Sequence, residues 1–162
     1  MSSRNIIAIC QRNILRYSND CAGFVRAVAG ACGVLLIGDA NSIVGLLKTG
    51  QFLSDGTAAQ QAAASGQLVI AGVCAPRHGH VAVVVDGPIR AGKYPYAFWG
   101  RYHELAAAGI SANVGFTRGH GTLNFAFDAD KLDLVQYASF SPVASLLPAH
   151  GSEEGHLLHT FT

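Results

Sequence analysis

A chain of 162 residues is long enough for one substantial core and too short for two comfortable ones. Half of its residues are apolar and only 13% are charged, which excludes a disordered polymer. A formal net charge of +1 excludes the clustered basic excess of a nucleic-acid binder and offers no electrostatic hold on a membrane surface.

In chain order, residues 5 to 16 carry Ile6, Ile9, Cys10 and Ile14 on one stripe and predict a first helix that ends near Arg16-Tyr17. The apolar run at its start is far shorter than a signal-peptide core, and no run approaches the ~20 residues that span a bilayer. The expectation is a protein made in the cytoplasm without a signal peptide and without membrane insertion. Ser18, Asn19 and Asp20 are cap residues, and from Cys21 the apolar positions Phe24, Val25, Val28 and Cys32 follow one helical face to Gly33, a C-terminal glycine. Val34 to Ile37 reads as short and extended. A helix capped at Asp39 or Asn41 then runs through Ile43, Val44, Leu46 and Leu47 to Gly50, and Thr57 caps an alanine-rich helix ending at Ala64.

Past Gly66 the period changes. Leu68 to Gly72 and His80 to Asp86 predict two buried strands, with further strands at Tyr96 to Arg101, Ala112 to Thr117 and Leu132 to Phe140. Helices first and strands later make the fold class α+β. Residues 1 to 142 are read as a single domain and residues 143 to 162, which show no clear period, as a partly ordered C-terminal extension.

The chemistry centres on Cys21. A thiol at a helix start lies beside unpaired backbone N–H groups and the positive end of the helix dipole, which favours the thiolate. A nucleophilic thiol needs a base, and His80 opens a strand with Val81, Val83 and Val85 on one face and His80, Ala82 and Val84 on the other. The helix is expected to pack on that sheet with Cys21 facing His80. Gly23 lets a substrate backbone or a neighbouring strand approach the thiol. Asp20 is a cap or a cleft wall, and Trp99 is carried as a substrate-binding candidate beside Phe98 and Tyr102, although aromatic residues at alternating positions more often belong to a core. Cys10, Cys32 and Cys74 read as packing residues, and a disulfide framework is not expected in a chain of this size. Cys74, His78 and His80 form a short cluster without a fourth ligand, so no metal and no cofactor is expected.

Asp20-Cys21-Ala22-Gly23-Phe24-Val25 resembles the Asp-Cys-Ser-Gly-Phe-Val signature of NlpC-type cell-wall cysteine peptidases, and Gly79-His80-Val81-Ala82-Val83-Val84 resembles their histidine strand. With Leu68-Val69-Ile70-Ala71-Gly72, Gly87-Pro88 and Lys93-Tyr94-Pro95 in the same order, roughly residues 5 to 142 are similar to the type VI secretion amidase effectors of the first family. The resemblance implies a papain-like fold with N-terminal helices on an antiparallel sheet. It also implies an antibacterial peptidoglycan amidase that cuts the γ-D-glutamyl–meso-diaminopimelate bond of stem peptides with Cys21 and His80. The expected partners are those stem peptides, a cognate periplasmic immunity protein and a component of the type VI secretion tube, and the place of action is the periplasm of a target bacterium. Ala22 stands where the family has serine, which bears on substrate binding and not on the chemistry. No Asn, Asp or His in Tyr96 to Gly100 supplies a third catalytic group, so either a backbone carbonyl serves, or His103 or Asn113 reaches in; a Cys–His dyad is the expectation. The alternatives are a housekeeping hydrolase of the same type and an inactive peptidoglycan-binding module of the same fold.

Overall fold

The computed structural model describes residues 1–17, 20–100 and 119–143. Its elements are α1 (Ser3–Asn13), α2 (Cys21–Ala31), α3 (Ala40–Leu46), β1 (Gln51–Leu53), α4 (Gly56–Ala64), β2 (Leu68–Val73), β3 (His80–Val84), β4 (Tyr96–Phe98), β5 (His120–Thr122) and β6 (Gln136–Phe140). The six strands form one sheet in the order β1-β6-β2-β3-β4-β5, and every neighbouring pair is antiparallel. This is an α+β fold.

The central strands are apolar at consecutive positions because the sheet is covered on both faces. Leu68 and Ile70 of β2 and Val81 and Val83 of β3 meet Ile6, Ile9, Phe24, Val25 and Ile43 from α1, α2 and α3. Val69, Ala71, Ala82 and Val84 face the other way, against Ala59 and Ala63 of α4 and against Trp99, Leu123 and Phe127. Register within the hairpin pairs Gly72 with Val81 and Val73 with His80, so the histidine stands at the open end of the two most buried strands.

Each of α2, α3 and α4 starts on an aspartate: Asp20 accepts from Gly23 N–H, Asp39 from Ser42 N–H and Asp55 from Ala58 N–H. The cap of α3 is therefore Asp39, not Asn41, and that of α4 is Asp55, not Thr57. Gly33, at φ +73°, ends α2 as expected, and the amides of Gly33 and Val34 return to the carbonyls of Gly30 and Ala29. Val34 to Ile37 joins no strand of the sheet, and the Leu35 and Ile37 side chains are exposed. Other expectations need correction. Leu132–Leu134 is a turn of 3-10 helix, so the last strand begins only at Gln136. Two three-residue strands, β1 and β5, had no alternating pattern to announce them. The strand expected at Ala112 to Thr117, together with Tyr102, His103 and Asn113, lies outside the described residues.

Candidate active site

Asp20 fixes the start of α2 twice over: its carboxylate takes the Gly23 amide at 2.7 Å, and its carbonyl takes the Phe24 amide at 2.9 Å. The amides of Cys21 and Ala22 are left unused by the cap, and together with the Val81 amide of β3 they favour the thiolate of Cys21. The helix start is pressed against the residue that follows β4. A Cβ on Gly100 would stand 2.6 Å from the Cys21 nitrogen and 2.7 Å from the Asp20 carbonyl, so only glycine fits there.

The electrostatics of the thiol differ from the sequence expectation. Burial pushes its pKa up, against the Val81 amide, which pulls it down; the Asp20 charge adds to the rise, and the amides of Ala22 and Cys21 itself oppose it. Burial wins, and the resting group is a neutral thiol surrounded by the donors a thiolate would need.

His80 is the residue whose carbonyl carbon carries the Val81 amide that reaches the sulfur. Its ring meets Phe127 edge-on, with centroids 5.0 Å apart and planes at 71°. Its Nε2 is buried, and burial lowers the imidazole pKa to about 4, so the ring is neutral at pH 7. One expectation is corrected: α2 packs on the Val81 and Val83 face, whereas His80 meets Phe127, a member of the core on the other face. The helix that carries the thiol and the ring of His80 thus lie toward opposite faces of β3.

Cys21, Asp20 and Ala22 open on a groove of about 180 Å³ completed by Asp39, Ala40, Asn41, Arg77, His78 and Gly79. Its far wall, the loop from β2 to β3, is clamped by Asn41, whose side chain donates to the Ala75 carbonyl at 2.9 Å and accepts from the Ala75 amide at 3.1 Å. A Cβ on Gly79 would collide with the Asn41 side-chain oxygen and stand 2.8 Å from the Val73 carbonyl. Sequence reasoning missed this wall. The isolated Gly79 before an apolar strand was the available signal, because a glycine there marks a close backbone approach.

Asp20 and Ala22 line the groove as expected, with Asp20 serving also as cap. Gly23 has a different reason from the one expected: a Cβ would run into the Asp20 carboxylate and stand 2.9 Å from the Tyr17 ring, so the glycine makes room for the cap and not for substrate. Trp99 is corrected outright. It is fully buried in the second core and does not line the groove. Cys10 and Cys32 are buried and free, but Cys74 is exposed, its sulfur 3.9 Å from the Asn41 carbonyl, and is not a packing residue. Among the described residues no group of three or more His, Cys, Asp or Glu is placed to hold a metal ion.

No family model matches the chain. It is similar to the peptidoglycan amidase Tse1 of Pseudomonas aeruginosa, with 36% identity over 132 residues that cover 80% of each chain. Helices over a six-stranded antiparallel sheet, with a cysteine opening the helix beside a histidine-bearing strand, define the papain-like α+β class. Within it, the chain belongs to the family of that amidase, the first family of type VI secretion amidase effectors.

Proposed function

We propose that this protein is a peptidoglycan amidase that uses Cys21 as nucleophile and His80 as general acid and base. In this reading it hydrolyses the γ-D-glutamyl–meso-diaminopimelate bond of stem peptides. Delivery by type VI secretion into the periplasm of a target cell, and a cognate immunity protein in the producer, belong to the same proposal. The observation that carries it is the packing of α2, which opens on Cys21, against β3, which opens on His80. The relative's own activity, amide hydrolysis in peptidoglycan, supports the substrate class.

The mechanism starts from two neutral groups. As the sulfur attacks the amide carbonyl, the S–H proton passes to the imidazole, so the ion pair forms during the step instead of preceding it. The carbonyl oxygen, now an anion, is received by the Cys21 and Ala22 amides that the aspartate cap leaves unused. The imidazolium then gives its proton to the departing amine, the C–N bond breaks, and a thioester remains. Water, deprotonated by the same imidazole, attacks the thioester and releases the acid and the thiol.

Digestion of purified diaminopimelate-type peptidoglycan, read by mass spectrometry, tests this. Wild type should release new stem-peptide fragments with a free D-glutamate γ-carboxylate, and Cys21→Ala should release none. An intact sacculus after treatment with folded wild type would leave a binding module in place of an enzyme.

A further inference from the structure

The groove beside Cys21 carries a pair of opposite charges that the hydrolytic step does not use. Arg77, on the clamped loop, is exposed and makes no hydrogen bond or ion pair among the described residues. Asp39, at the head of α3, commits its Oδ1 to the Ser42 amide and the Ser42 hydroxyl, both at 2.8 Å, and its Oδ2 accepts nothing among the described residues. Those two Ser42 bonds hold its carboxyl below the usual carboxylate range. An anion held by Ser42 and an exposed cation thus line one groove without pairing to each other. The loop that bears the arginine is tied to the helix that bears the aspartate through both ends of the Asn41 amide, so the two backbones stay together at the groove. Asp20, the other carboxylate of the groove, holds the Gly23 amide through its Oδ1 and caps the helix that carries the nucleophile.

Resting on the amidase reading, we infer that Arg77 and Asp39 form a subsite for a zwitterionic amino-acid head, the ammonium and carboxylate at the distal centre of diaminopimelate. A guanidinium takes a carboxylate through two parallel N–H bonds, and the free Asp39 oxygen takes the ammonium. A stem peptide with lysine at that position keeps the ammonium and lacks the carboxylate. Discrimination between the two cell-wall types then resides in Arg77.

Four synthetic stem tetrapeptides test this: the diaminopimelate form, its distal-amide form, the lysine form, and the diaminopimelate form with D-isoglutamine in place of D-glutamate. Wild type should favour the first over the second and third by about 10-fold to 100-fold in kcat/KM, the range of a charged hydrogen bond. Arg77→Gln should lose that preference through KM, falling about 10-fold to 100-fold further on the diaminopimelate peptide than on the lysine peptide. An equal fall on all four peptides, or no fall, overturns the inference. So does a lost preference confined to the isoglutamine comparison, which would assign the guanidinium to D-glutamate. Binding of the same peptides to Cys21→Ala, with and without Arg77→Gln, by calorimetry, gives the same readout without turnover. Absence of hydrolysis by wild type would therefore refute the amidase reading alone, whereas equal binding of the diaminopimelate and lysine forms would refute the subsite.

Discussion

The two ends of α2 each carry a cysteine, and the two thiols share a helix and have been given opposite surroundings. Cys32, at the C-terminal end, is fully buried in the helix-side core with Cys10, and burial raises its pKa against only the distant pull of the chain's N-terminal ammonium. Cys21 is raised by burial too, but three backbone amides push back, and its groove is open to solvent. The difference teaches that a helix start does not by itself make a reactive thiol. What matters is that the cap leaves two amides unused and that a third, from β3, is brought to the same sulfur.

The largest effect expected from this contrast comes from truncating each thiol in turn. Cys21→Ala should lower stem-peptide hydrolysis by at least about 10³-fold with an unchanged circular dichroism spectrum, the usual consequence of losing a nucleophile from a site that acts as a unit. Cys32→Ala should stay within about twofold of wild type in activity and lose about 1 kcal/mol of stability to the small cavity left behind. Loss of activity in the second variant, measured at a temperature where it remains folded, would mean that the two ends are not separable.

The imidazole sharpens the same comparison, because β3, on which α2 packs, opens on one. His80 has a folded-state pKa of about 4, against 6.5 for the free group. Between those values the unfolded chain binds the extra proton and the native one does not. The contribution is therefore complete above about pH 6.5 and is lost as the pH falls toward 4, over about 2.5 pH units or roughly 3 kcal/mol. Urea midpoints at pH 7 and pH 4.5 should separate by less in His80→Gln than in wild type, by about 2 to 3 kcal/mol once converted to free energy. Parallel curves for the two proteins would mean that the ring is solvated and charged in the native state.

How much of this was legible beforehand depended on whether the signal was local. Asp20-Cys21 announced the helix start, and Gly33 its end, because caps and C-terminal glycines act within a few residues. The hairpin of β2 and β3 was equally plain from two continuous apolar runs. By contrast β1 is three residues long, has Gln51 and Phe52 exposed, and exists because β6 offers it Ser139, Ala138 and Tyr137 as partners; nothing in its own composition says so. Trp99 misled for a related reason. An aromatic near the end of β4 suits a cleft or a core, and the choice is made by Leu123 and Phe127, more than twenty residues further on. The site was legible in its nucleophile and its cap and illegible in its far wall, since the contact between Asn41 and Ala75 joins residues 34 apart. Alternation placed His80 with Ala82 and Val84, as found, but it says only which residues share a side and not which side a helix will cover.

The smallest expected effect separates the two duties of Asp20. Its carboxylate caps α2 through Gly23, and its charge opposes ionisation of Cys21. Asp20→Asn keeps an oxygen for the Gly23 amide and removes the charge; Asp20→Ala removes both. Asparagine should therefore hold stability within a few tenths of a kcal/mol, while alanine costs about 1 kcal/mol. Both should lower the pH at which iodoacetamide alkylates Cys21, and neither should expose Cys32, which lies at the other end of the helix. If the asparagine variant needs a higher pH than wild type, the carboxylate is not working against the thiolate. The three amides around the sulfur would then be weaker than their geometry implies.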